Sequence, residues 1–319
     1  MLLCLTKIDD LPEVQENLTK ISEILKCKIV YKNAPLIDDI EDIIEKVSVI
    51  FMNPNKSHIN FTEDVLKRFV NLDVLCTAST GTIHVDLHAA NRLNIEIISI
   101  KEFKDILSNI PSTAELAFSL TMNGLRKIIN SHNDVMRNLD WDFEKYIGKQ
   151  IKDLSVAVIG YGRLGKIYSK MMYDAGASIS IFDPRLSFNF EETLSNFRNN
   201  ASNYDVVSVH IHAEGNNGFV NSNFFDYLKS DVVIVNTSRG EVVEHNDLFK
   251  FLNKNPKATY CSDVIPNESS DIFRNDMINK FKSYDNVILT QHIGGMSTGA
   301  RKTAFGLASG LLLQHLIKE

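Results

Sequence analysis

Short apolar runs alternate with amphipathic stretches along most of this 319-residue chain. That alternation is the pattern of buried parallel strands joined by helices, so it predicts βαβ units and an α/β fold. In the first third, strands are expected over 1–6, 28–31, 47–52, 74–77 and 95–98, with helices over 11–25 and 62–69 between them. From 112 to about 129 the apolar positions recur at helical spacing, and Pro111-Ser112-Thr113 offers a helix start. A polar stretch carrying Trp141 follows, so a long connecting helix and an arm are expected here. A second series of strands is expected over 155–159, 178–182, 206–211, 232–236, 259–264 and 287–290, and a last helix over 297–317. The length suits two domains of ordinary size.

Composition narrows the class. Hydrophobic residues make up 44% of the chain and charged residues 23%, enough apolar surface for a core that needs no staple. Cys4, Cys27, Cys76 and Cys261 are scattered, with neither zinc spacing nor a dense disulfide framework, so no metal is expected. The net charge of −6, without a Lys/Arg block, argues against a nucleic-acid partner. No run is apolar enough to span a membrane, and the N-terminus reads as a first strand and not as a signal peptide. A cytoplasmic protein is expected, with no room after the last helix for an appended regulatory domain.

The strand at 155–159 runs into Gly160-Tyr161-Gly162-Arg163-Leu164-Gly165, which opens a helix. A glycine loop between strand and helix is where a dinucleotide pyrophosphate binds. Gly160 allows the tight turn, Gly162 lets backbone approach the phosphates, and Gly165 lets helix and strand pack closely. Free N–H groups at the helix start supply the anion site, and Arg163 is a further candidate phosphate contact. Asp183, followed by Pro184, closes the next strand about 20 residues on, where a carboxylate accepts from ribose hydroxyls and repels a 2′-phosphate. This favours NAD over NADP, although Arg185 stands close enough to complicate the preference.

Three polar clusters stand at the ends of later strands: Asn236-Thr237-Ser238-Arg239-Gly240, Asp263 with Glu268 in the next loop, and Thr290-Gln291-His292-Ile293-Gly294-Gly295. Carboxyl ends of parallel strands share one edge, so Arg239, Glu268 and His292 are expected to converge beside the dinucleotide. The set suits carbonyl reduction. A histidine gives the proton that a developing alkoxide needs, a carboxylate supports the imidazolium, and an arginine forks a substrate carboxylate. Taken singly, each also reads as an ordinary loop residue.

On these motifs, together with Thr80-Gly81-Thr82, Val85-Asp86-Leu87 and Thr113-Ala114-Glu115, the chain resembles the D-isomer-specific 2-hydroxyacid dehydrogenases. The resemblance implies a Rossmann nucleotide domain over 103–295 and a smaller, flavodoxin-like, discontinuous substrate domain over 1–102 and 296–319. It implies Arg239, Glu268 and His292 as the catalytic set, and Asp263 as a contact of the nicotinamide carboxamide. It places His210 and Thr237 on the cofactor. With the glycine loop, Asp183, Pro184, Ser238 and Gly294, these make up the expected cofactor-binding residues. It also implies homodimers formed through the nucleotide domain.

Two departures bear on the catalytic set. Pro266 stands before Glu268 where the family carries an acidic-proline pattern, and Gln291 replaces the usual proline before the histidine. On the substrate side, Ser79-Thr80-Gly81-Thr82 follows a strand, as an anion-binding nest of backbone N–H groups does. The resemblance places the substrate carboxylate there; Thr80, Gly81 and Arg239 are read as its contacts, and Asn55, after the strand at 47–52, as a substrate-side residue lining the same cleft. Asn53 and Lys56 are further candidates, whereas His84 and His88 read as core or helix-surface residues. The expected activity is NAD-dependent hydride transfer between nicotinamide and a small D-2-hydroxy or 2-oxo acid. The alternative is a catalytically silent NAD(H)-responsive binding protein on the same scaffold.

Overall fold

The computed structural model describes residues 1–54, 59–82, 84–187, 190–268 and 270–318. Its first sheet is built from β1 (Leu2–Cys4), β2 (Ile29–Tyr31), β3 (Val49–Met52), β4 (Val74–Thr77) and β5 (Glu96–Ser99), in the order β2-β1-β3-β4-β5 and parallel throughout. Side chains alternate between the two faces of a strand. Leu2 and Cys4 therefore enter one core, with Leu18, Phe305 and Leu312, while Leu3 and Leu5 enter another, with Ile50 and Phe61. Both layers are needed, which explains why the strands read as continuous apolar runs.

The terminal helix Thr298–Lys318 lies on this sheet and buries Phe305, Ala308 and Leu312. Burying each large apolar side chain contributes about 1.5–3 kcal/mol, enough to hold a distant segment in this unit. The chain divides into Met1–Ile110 with Met296–Glu319, and Pro111–Gly295. The first boundary falls at Ile110 and not at 102, because the short helix Lys104–Ser108 puts Leu107 into the first unit's core.

The second unit carries β6 (Ser155–Ile159), β7 (Ser178–Phe182), β8 (Val206–Val209), β9 (Val233–Asn236), β10 (Thr259–Ser262) and β11 (Val287–Leu289). The order is β11-β10-β9-β8-β6-β7, again all parallel. The chain leaves β6 toward β7 and then returns past it to β8, so the strand order reverses beside β6. In open parallel sheets that switch point is where ligands bind. The helix expected over 112–129 ends at Arg126. Lys127 takes a left-handed conformation at φ 48°, and a second helix, Ile128–Asn138, continues through the stretch expected as a polar arm. The strands expected to reach 211 and 264 stop at Val209 and Ser262, where pairing with their neighbours ends.

Candidate active site

The glycine loop follows β6 at the switch point. Gly160 has φ 92°, and a β-carbon there would lie 2.6 Å from the His210 carbonyl oxygen. A β-carbon on Gly165 would meet the Gly160 carbonyl oxygen at 2.1 Å, so neither position admits a side chain. The helix Arg163–Asp174 starts at Gly162, which supplies no side-chain cap, so the positive end of the helix opens directly from the glycine loop.

Asp183 is buried at the end of β7, where its carboxylate accepts from Tyr161 N at 2.7 Å. It also accepts from the backbone N and Nε of Arg185, each at 2.9 Å, and from Arg185 Nη2 at 2.6 Å. The guanidinium holds this carboxyl well below the usual carboxylate range. His210, after β8, has its Nε2 2.8 Å from Ser208 Oγ and its ring against Tyr168; burial pushes its pKa down to about 4, so it is neutral at pH 7.

After β9, Asn236 is fully buried and organises the arginine loop. Its Oδ1 accepts from Ser238 N and Oγ at 3.0 and 2.7 Å, and its Nδ2 donates to the Arg239 carbonyl at 2.9 Å. Arg239 is half-buried and donates to the Ser238 carbonyl at 2.7 Å. Gly240 packs against the next loop so closely that a β-carbon would lie 2.0 Å from the Ile265 carbonyl carbon. The loops carrying Arg239 and Glu268 are thus in backbone contact.

Asp263, after β10, builds the histidine loop. Its Oδ1 accepts from Thr290 Oγ1 at 2.5 Å and Ile293 N at 2.8 Å, its Oδ2 from Gly294 N at 2.8 Å, and its carbonyl from His292 N at 2.9 Å. These bonds hold His292 at φ 52°, a left-handed conformation that costs on the order of 1–3 kcal/mol outside glycine. The reward is placement: His292 Nδ1 lies within hydrogen-bonding distance of Glu268 Oε1. Pro266 and Gln291 leave this contact intact. Burial raises the pKa of Asp263, against the hydrogen bonds that lower it.

In the first unit, the turn after β4 is tied down from within. Ser79 Oγ lies 2.9 Å from Thr77 Oγ1 and donates to the Gly81 carbonyl at 2.7 Å, and Asn53 Nδ2 donates to the Ala78 carbonyl at 3.2 Å. Thr80 and Gly81 stand in this turn, while Asn55 and Lys56 lie outside the described residues. His88 is exposed on a helix; His84 is buried, and neither ring nitrogen has a partner among the described residues.

Sequence reasoning did not single out Asn236 or Thr290 as organisers. The signal for Asn236 was present, since a polar residue closing an otherwise apolar strand has to be satisfied locally. An open cavity of about 610 Å³ at the opposite edge of the second sheet, lined by Asn123, Lys127 and Thr259 among others, includes none of the expected site residues.

The second unit's own features fit a dinucleotide. Backbone donors open a helix, Gly162 leaves room beside them, and the Thr237 hydroxyl is buried on the same edge with no partner among the described residues. Comparison with known proteins agrees. Residues 118–294 match the family model described as D-isomer specific 2-hydroxyacid dehydrogenase, NAD binding domain. The chain is 26% identical over 275 residues to a D-3-phosphoglycerate dehydrogenase of Haemophilus influenzae, covering 85% of this chain and 65% of that protein. It is 24% identical over 288 residues to a hydroxypyruvate reductase of Thermotoga maritima, covering 88% of each. It spans about half the length of other phosphoglycerate dehydrogenase relatives. The fold is similar to a D-lactate dehydrogenase of Aquifex aeolicus solved with NAD and lactic acid, at a TM-score of 0.76 and 19% identity, over 99% of this chain and 95% of that one. The second unit is therefore an NAD-binding domain, and the chain belongs to the D-isomer specific 2-hydroxyacid dehydrogenase family.

Proposed function

We propose that this protein interconverts a small D-2-hydroxy acid and its 2-oxo acid. The observation that carries the reading is the His292–Glu268 pair, built on the sheet edge of an NAD-binding domain by a backbone that accepts a left-handed residue to form it. NAD, bound along the glycine loop (Gly160, Tyr161, Gly162, Arg163, Leu164, Gly165) with Asp183, Pro184, His210, Thr237, Ser238, Asp263 and Gly294, supplies the hydride chemistry.

The chain's own groups do the rest. Arg239 binds the substrate carboxylate through its guanidinium fork and polarises the adjacent carbonyl. His292, held at Nδ1 by Glu268, gives a proton to the developing alkoxide in reduction and takes it back in oxidation. Glu268 stabilises the imidazolium and fixes the ring's orientation. Thr80, Gly81 and Asn55 are assigned to the substrate as well; the ordered turn after β4, tied down by Ser79 and Asn53, supports the first two.

A homodimer formed through the second unit is part of the proposal. Leu139 is 92% exposed, Trp141 86%, Phe143 75% and Ile147 75%, more apolar surface in one arm than a monomer ordinarily leaves to water. A dimer mass in sedimentation equilibrium checks it.

NADH oxidation against a panel of 2-oxo acids tests the activity: pyruvate, glyoxylate, hydroxypyruvate and its phosphate, and sugar-derived 2-oxo acids, with His292→Ala alongside. Turnover of one compound, lost in the variant, is expected. Saturable NADH binding without turnover of any member would favour a silent NAD(H)-responsive protein.

A further inference from the structure

The carboxylate expected to hold the adenosine ribose is already occupied by the chain. A carboxylate offers about four acceptor positions. At Asp183 these receive Tyr161 N, Arg185 N, Arg185 Nε and Arg185 Nη2, all between 2.6 and 2.9 Å. Ribose hydroxyls can reach Asp183 only by replacing a donor. Tyr161 N and Arg185 N belong to the backbone of the glycine loop and of the turn after β7. The guanidinium is the replaceable partner: the Arg185 side chain is 73% exposed, while that of Asp183 is 4% exposed.

A second observation puts the same guanidinium in the nucleotide's path. Around a β-carbon built on Gly162, the one atom within 4 Å among the described residues is Arg185 Nη2, at 3.9 Å. Gly162 is the position where the protein backbone approaches a dinucleotide's pyrophosphate. Arg185 therefore stands over the glycine loop and against the ribose carboxylate at once.

We infer that Arg185 is the residue that sets nucleotide preference here: it cancels the charge of Asp183 and offers its fork to a 2′-phosphate, so that the protein takes NADPH as well as NADH. An unpaired Asp183 would repel a 2′-phosphate by like charge. Paired with Arg185, it presents a neutral couple whose cationic half faces solvent. A 2′-phosphate draws the guanidinium into a bidentate contact, whereas NADH displaces it and leaves it hydrated. The inference rests on the dinucleotide site assigned above and adds to it a residue outside the glycine fingerprint.

Equilibrium binding of NADH and NADPH, followed by nicotinamide fluorescence, tests this without turnover. The unsubstituted protein is expected to bind NADPH within about tenfold of NADH. Arg185→Ala is expected to weaken NADPH roughly tenfold or more while NADH binds equally or more tightly, since Asp183 is then released to the ribose. Arg185→Lys, which keeps the charge but not the fork, should fall between the two. An NADPH-to-NADH ratio unchanged by Arg185→Ala would overturn the assignment. An unsubstituted protein that binds NADH alone would overturn it as well and leave the NAD site standing. Failure to bind either nucleotide would overturn the site itself.

Discussion

Glu268 and His292 meet because two residues take left-handed backbone conformations, Asn267 at φ 50° and His292 at φ 52°. The hydrogen bonds to Asp263 hold the histidine side of that arrangement. A strained turn maintained by a buried carboxylate is a preorganised one, so the proposed proton transfer would need little rearrangement. Replacing Glu268 by Gln keeps the shape and removes the charge. The expected result is a kcat reduced roughly 100-fold, within the range of a single acid–base contribution, with NADH affinity unchanged. Steady-state kinetics with parallel NADH titration checks it; an equal loss in NADH affinity would assign Glu268 to the fold of the loop instead.

Among the elements, the arginine and glutamate loops depend on one another through Gly240. A β-carbon at 240 would lie 2.0 Å from Ile265 C and 2.2 Å from Pro266 N, both backbone atoms that cannot rotate away. Gly240→Ala must therefore part the Arg239 loop from the one leading to Glu268. A displacement near 1 Å at a reacting centre costs about 100-fold in rate, so kcat should fall by that order while the far-ultraviolet spectrum stays unchanged. Most strands and the glycine loop were legible from apolar runs and turn residues, because buried parallel strands need continuous apolar sequence. The break at Lys127 was not legible. A lysine in the left-handed region carries no sequence signature, and the apolar spacing runs on through Ile128 and Ile129. Arg239, Glu268 and His292 were legible as strand-end residues; the bonds of Asn236 and Asp263 that hold their loops were not, because they depend on which loops face each other across strands. The occupation of Asp183 by Arg185 was half legible: proximity shows in the sequence, and the filled acceptors show only in the geometry.

At the scale of the whole molecule, both units carry a buried neutral histidine. Burial pushes the pKa of His84 in the first unit and of His245 in the second from 6.5 down to about 4. With the folded value below the unfolded one, the unfolded state takes up protons first as pH falls. Stability is then lost progressively between about pH 6.5 and 4, on the order of 1–2 kcal/mol for each histidine by pH 5. Urea midpoints at pH 7, 6 and 5 measure the loss. His84→Leu should flatten the slope and cost little at pH 7, because neither ring nitrogen of His84 has a partner to lose among the described residues. The proposed activity is hydride transfer to a 2-oxo acid on an NAD-binding domain of this family, with His292 as the proton donor. Its most direct test uses NADH deuterated at both C4 positions, incubated with the 2-oxo acid panel, with mass and chirality of the products read out. Deuterium is expected at C2 of one D-2-hydroxy acid, and none with His292→Ala. Label transfer undiminished in the variant, or an L product, would contradict it.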